Sequence, residues 1–317
     1  PGALYIDLVA RDQSVRQFSF LCKLARNLQH WVNGEASHHW DGGSRDGIVC
    51  GFDEQAGVTV DASGVLPAVV LGREQTGLGT LRSLRLAGIP AFVACPRNDL
   101  VARSRWYRST PGETPWDGSL GQPGLNALEH LPFDRCVLIP GRDDAALWAA
   151  DLPSGPLAGR VLVSSSSRAT LEVLQDKSRF GQFLAGTTIP HPRTFTIRSE
   201  ADIGSIPFGE LDRVFVKPAD SQAFLRVTGV KGMWARNREE FNAIWRDLAE
   251  QGLAAIAQEY VPGGADEHYF IDGFRDSRGE LTALFARRRV RISPPDFGSS
   301  SYCVSVPLGE TASALPG

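Results

Sequence analysis

The sequence predicts an α/β domain followed by an α+β domain. Three observations carry this expectation. Between Leu66 and Ser167, short apolar runs ending at glycine or proline alternate with helical segments, which is the βαβ rhythm of a parallel sheet. From Asp176 onward that rhythm gives way to amphipathic helices and paired strands. The 317 residues fit about two domains at roughly 150 residues each, enough chain to bury two cores without disulfides.

Residues 1–64 stand apart as an unassigned helical and loop extension. Apolar residues recur there at helical spacing (Leu8, Val15, Phe18, Leu21, Leu24 and Leu28), followed by a polar, Gly-rich stretch at 33–47. The α/β domain is expected over 65–175. Its strands are read at 68–71, 91–94, 136–139 and 160–163, and its helices at 78–87 and 143–150. The serine run 164–167 reads as a strand-end loop and helix cap.

The α+β domain is expected over 176–317. Asp176-Lys177-Ser178 opens a helix that Gly186 closes. Val214-Phe215-Val216 is a strand ended by Lys217-Pro218. The segment 238–251 is a helix with Phe241, Ile244, Trp245 and Leu248 on one face. A strand is predicted at 254–258, and 268–274 with 281–290 read as a hairpin turning at Ser277-Arg278-Gly279.

Composition excludes several classes. A net charge of -3 argues against a nucleic-acid binder built on a broad basic field. No apolar run approaches the roughly 20 residues of a membrane helix, and no signal peptide is evident. Five scattered cysteines without a CxxC pair point to a reducing, cytoplasmic setting. His38-His39-Trp40-Asp41 makes a poor transition-metal site, because adjacent histidines point to different sides and lack further partners. The chain begins at Pro1 and its only methionine is Met233, so the expectation is an interior segment of a longer polypeptide.

The first glycine cluster, Gly72, Gly77 and Gly79, follows a strand and opens a helix. Two readings are open: backbone amides holding an anion, or glycines required by a tight turn. It is neither a dinucleotide fingerprint nor a Walker A loop, which weakens a dehydrogenase reading.

The second half carries a more specific order of residues. Asp176-Lys177 is followed by Lys217-Pro218-Ala219, then by Gln258-Glu259-Tyr260-Val261-Pro262-Gly263-Gly264, and then by Arg288-Arg289-Val290-Arg291 with Pro294-Pro295-Asp296-Phe297-Gly298. Upstream stand Gly77-Leu78-Gly79, Ser104-Arg105-Trp106, and Leu138-Ile139-Pro140 with Asp143-Asp144. Over 66–306 this pattern resembles the ATP-grasp superfamily of ATP-dependent carboxylate ligases, in particular its carbamoyl-phosphate-synthase-like group.

The resemblance implies a Rossmann-like pre-ATP-grasp domain and then an incomplete two-lobed ATP-grasp domain, with a first lobe at 176–257 and a partial second lobe at 258–317. It implies that Lys177 and Lys217 touch nucleotide phosphates and that Gln258, Glu259, Tyr260 and Val261 form the hinge. There the backbone groups of Glu259 and Val261 would read the adenine edge. Glu267, or Asp266, would hold the ribose hydroxyls, with a solvated loop charge as the alternative. The phosphate-loop position, 219–229, departs from the Gly-rich pattern, and Arg226 and Lys231 are read as supplying charge instead.

Arg289 and Arg291 are the candidates for the γ-phosphate or acyl-phosphate. A strand would put them on one face with Arg287 and turn Arg288 away, and the alternative is a charge-protected edge strand. Mg²⁺ is expected for the full-length protein, but its ligand pattern is not found in this chain, so the chain alone is expected to be inactive. The implied partners are ATP and a small-molecule carboxylate and amine, joined through an acyl-phosphate. The alternative function is nucleotide binding without catalysis.

Overall fold

The computed structural model describes residues 65–218, 232–276, 280–293 and 299–309. Residues 1–64, 219–231 with Arg226 and Lys231, 277–279, 294–298 and 310–317 lie outside the described residues. The chain divides into two compact units, Pro1–Ser167 with Asp272–Phe285, and Arg168–Ile271 with Ala286–Gly317.

In the first unit, strands β1 (Ala68–Leu71), β2 (Ala91–Ala94), β3 (Cys136–Pro140) and β4 (Val161–Val163) form a parallel sheet in the order β2-β1-β3-β4. Every residue of β1 is buried, because helices cover both faces and both sets of alternating side chains need apolar partners. Ala68 and Val70 pack with Leu81 and Leu84 of helix α1 (Glu74–Leu86). Val69 and Leu71 pack with Leu128 of α2 (Gly121–Glu129) and with Ala145 and Ala149 of α3 (Asp143–Ala149). Arg160 donates to three carbonyls at and beyond the end of α2: Glu129 at 2.9 Å, Leu131 at 2.6 Å and Phe133 at 3.1 Å. A buried cluster of Leu66, Val137, Phe274 and Ala283 completes this unit.

Helix α1 begins four residues before its expected start and takes in Gly77 and Gly79. The Gly77 N–H donates to the Arg73 carbonyl at 2.9 Å, and a Cβ at Gly77 would lie 2.7 Å from the carbonyl carbon of Gly72. These glycines therefore let the helix lie close on the strand end, which is what the packing reading requires. Helix α2 was not among the helices expected from the sequence. Pro123 falls in the first turn, where no intrahelical N–H is required.

The second unit opens with α4 (Arg168–Gln175) and α5 (Lys177–Ala185). Strands β5 (Thr194–Ile197), β6 (Val214–Pro218), β7 (Met233–Ala235) and β8 (Ala255–Glu259) form an antiparallel sheet in the order β5-β8-β6-β7. Helix α6 (Arg238–Ala249), capped by Asn237 accepting the Glu240 N–H at 2.8 Å, buries Phe241, Trp245 and Leu248 against one face. That face presents Ile197, Val214, Val216, Ala235, Ala255 and Ala257. Period-two alternation sends Thr194, Thr196, Phe215, Lys217, Trp234 and Gln258 to the other face. Strands β9 (Tyr269–Arg275), β10 (Leu281–Ser293) and β11 (Ser299–Val306) form a sheet in the order β11-β10-β9. Among the described residues no helix is long and apolar enough to cross a membrane.

Candidate functional site

The face opposite α6 brings together two of the predicted residues, Lys217 and Gln258, with Lys177 near them. Register pairs Phe215 with Gln258 and Lys217 with Ile256, so Lys217 and Gln258 are diagonal neighbours on one face. Lys217 Nζ donates to Gln258 Oε1 at 2.6 Å. Gln258 Nε2 then donates to Thr194 Oγ1 at 3.1 Å, and Thr194 Oγ1 donates to the Pro192 carbonyl at 3.1 Å. This relay fixes the amide with its oxygen toward the ammonium. The ammonium also lies 4.8 Å from the centroid of the Phe215 ring.

Burial pushes the Lys217 pKa down, and the nearby Lys177 ammonium pushes it further the same way. Among the described residues no carboxylate pairs with Lys217. Lys217 is thus a partly desolvated cation, with a second lysine near it, that a neutral amide orients without neutralising it. A cation held in this way is suited to an anionic ligand.

Lys177 is placed by the start of α5. The Asp176 side chain caps that helix, accepting from the N–H groups of Ser178 at 2.8 Å and Arg179 at 3.0 Å. The helix lies on the β5 side of the same face. Ser178 Oγ and Thr196 Oγ1 are 2.5 Å apart, and a Cβ at Gly181 would sit 3.0 Å from Thr194 Cγ2. A small residue at 181 is what lets the helix come this close.

The segment after β8 is only partly as expected. The Glu259 N–H donates to the Arg193 carbonyl at 2.8 Å, so it is committed within the fold and cannot be the group that reads a ligand edge. The Glu259 carboxylate accepts from the Arg193 N–H at 3.0 Å and from its Nε at 3.3 Å. That backbone N–H holds the carboxyl below the ordinary Glu value, with the Arg193 guanidinium assisting. The Tyr260 ring stacks under the Arg213 guanidinium at 3.9 Å, and Val261 is 62% exposed. Glu267 spends one oxygen, Oε2, on the Gly264 N–H at 2.6 Å, bracing its own turn; it and Asp266 are both exposed.

On β10, Arg287 and Arg289 lie over the Phe270 ring at 4.4 Å and 5.2 Å. Arg289 Nε donates to Ser300 Oγ at 2.9 Å, and its NH1 meets His268 Nδ1 at 3.1 Å. The expectation that Arg291 shares this face fails. Arg289 is opposite Cys303 but Arg291 is opposite Tyr302, so a bulge at Val290 breaks the alternation and leaves Arg291 exposed. Lys231 falls outside the described residues. Among the described residues, no group of three or more His, Cys, Asp or Glu could hold a metal ion.

Four participants were missed in the sequence: Thr194, Arg213, Trp234 and His268. Two had a readable signal. Thr194-Phe195-Thr196-Ile197 alternates polar and apolar residues, and Arg213, Phe215 and Lys217 alternate with Val214 and Val216.

No protein-family model and no curated protein matches the chain. Solved structures do. A carboxyaminoimidazole ribonucleotide synthase from Aspergillus clavatus, complexed with ATP, superposes with a TM-score of 0.51 at 13% identity, over 75% of this chain and 56% of that one. The N5-carboxyaminoimidazole synthase from the same organism, in complex with ADP and 5-aminoimidazole ribonucleotide, gives 0.50 at 12% identity, over 73% of this chain and 55% of that one. The chain therefore spans little more than half the length of these two synthases.

Proposed function

The chain has the ATP-grasp fold, and from that premise we propose that it binds ATP on the Lys177–Lys217–Gln258 face and serves ATP-dependent carboxylate–amine ligation. The observation that carries the reading is the Lys217 ammonium, desolvated, near a second lysine and, among the described residues, hydrogen-bonded to a neutral amide with no carboxylate partner. Cations held in this way are suited to the closely spaced negative charges of a polyphosphate.

In the reaction we propose, a substrate carboxylate oxygen attacks the γ-phosphorus of ATP. The bond from that phosphorus to the β,γ-bridging oxygen breaks, giving an acyl-phosphate and ADP. An amine nitrogen then attacks the acyl carbon, loses a proton and expels inorganic phosphate. Lys177 and Lys217 would neutralise the nucleotide phosphates. Arg289, oriented by Ser300 and His268, would face the transferred phosphoryl group. Tyr260 and the backbone of 259–261 would border the base, with Glu267 or Asp266 near the ribose. Residues 176–317 would form the nucleotide-binding domain and 65–175 the domain before it. Mg²⁺ is part of the proposal for the whole protein, but the described acids do not fit a metal site, so no step is assigned to one. A reducing, cytoplasmic setting is part of the proposal and rests on the scattered cysteines of the sequence.

Titration calorimetry with ATP, ADP, AMP and adenosine tests the binding reading. Affinity that rises with the number of phosphates is the expected result. Equal affinity for adenosine and ATP, or no binding of any of them, would contradict it.

A further inference from the structure

Arg213 immediately precedes β6 and shares a face with Phe215 and Lys217. Its guanidinium carbon lies 3.9 Å from the centroid of the Tyr260 ring and 4.7 Å from that of Trp234. The two rings meet edge to face at 5.3 Å and 89°. Trp234 packs in turn on Phe215 at 4.8 Å, and Phe215 carries the Lys217 ammonium. One row of stacked groups thus runs from Tyr260 to Lys217. Arg213 Nε has no hydrogen-bond partner among the described residues, and its ion-pair contact is Asp212 Oδ2 at 3.6 Å. The guanidinium is therefore held chiefly by the faces of two rings, a role for a planar, weakly hydrated cation that lysine fills poorly.

We infer that Arg213 is a positioning residue for nucleobase recognition. By clamping Tyr260, it fixes the backbone of 259–261 and so sets affinity for the base without changing affinity for the phosphates. The inference rests on the nucleotide reading above. Tyr260 lies between Glu259 and Val261, so loss of its ring freedom also restrains the flanking main chain. Ordering that segment before the ligand arrives lowers the entropy cost of binding.

The test compares ATP with inorganic tripolyphosphate by calorimetry, in the wild-type chain and in Arg213→Ala, Arg213→Lys and Tyr260→Leu. Arg213→Ala is expected to bind ATP about tenfold more weakly while keeping its tripolyphosphate affinity. Arg213→Lys should lose part of the ATP affinity. Tyr260→Leu should show the same ATP-specific loss, and its combination with Arg213→Ala should be far from additive. If Arg213→Ala does not fold, Arg213→Lys and Tyr260→Leu decide. A wild-type chain that binds both ligands, with variants that lose both equally or lose neither, would overturn the inference alone. A wild-type chain that binds neither would overturn the nucleotide reading and the inference with it.

Discussion

Lys217 Nζ donates to Gln258 Oε1 at 2.6 Å across the antiparallel strands β6 and β8. The bond orients the ammonium without neutralising it, and among the described residues no carboxylate pairs with it; burial and Lys177 lower its pKa. A charge kept in this state costs stability in the empty protein, a trade that functional sites commonly make.

Lys217→Met is expected to raise the stability of the nucleotide-free chain by about 1 kcal/mol at pH 7. The sign follows from proton linkage. The native state holds this proton less tightly than the unfolded chain, so the cost is fully present below the lowered native pKa. It is relieved as pH rises through that value toward the ordinary lysine value of about 10.4. Urea denaturation at pH 7 and pH 10 should show the advantage of Lys217→Met shrinking at the higher pH. An advantage that grew with pH would reverse the assignment.

Gly232→Ala is expected to weaken the site from the side. A Cβ there would run into the Phe215 ring and come within 3.1 Å of the Val216 carbonyl oxygen. The ring carries both Lys217 and Trp234, so the overpacking, at about 1–3 kcal/mol, should reach both. A lowered melting temperature together with reduced ATP affinity checks this; an unchanged variant would show that the ring can move freely.

The thiols should divide by burial. Desolvation pushes Cys95 and Cys136 up to about 11, whereas Cys303 is partly exposed. At pH 8 the first two should resist iodoacetamide in the native chain and react after denaturation, with Cys303 labelled first of the three. Peptide mapping by mass spectrometry reads the outcome, and early modification of Cys136 would contradict the packing of β3.

Much of this architecture was legible because its signals are local and periodic. The strands at β1, β2 and β3 announce themselves as apolar runs, and α6 as a stripe of Phe241, Trp245 and Leu248. Strand β5 was missed because its polar–apolar alternation runs for only four residues, too short a stretch to stand out, although its Thr194 anchors Gln258. The bulge at Val290 was illegible for a different reason. The sequence sets which residues alternate within a strand, but the register against β11 decides where an extra residue is absorbed. The lysines were found through a family pattern. Their physical distinction, a charge desolvated beside another charge, emerges only when β6, β8 and α5 come together.

The central claim is that the Lys217 face binds the phosphates of ATP, and the most direct test is thermal unfolding with and without ATP in the wild-type chain and in Lys217→Met. At about 100 times the dissociation constant, ATP should stabilise the wild-type chain by roughly 2.7 kcal/mol. The same ATP concentration should leave Lys217→Met nearly unshifted, even though that variant starts more stable. Equal stabilisation of both chains by ATP, or none in the wild type, would contradict the account.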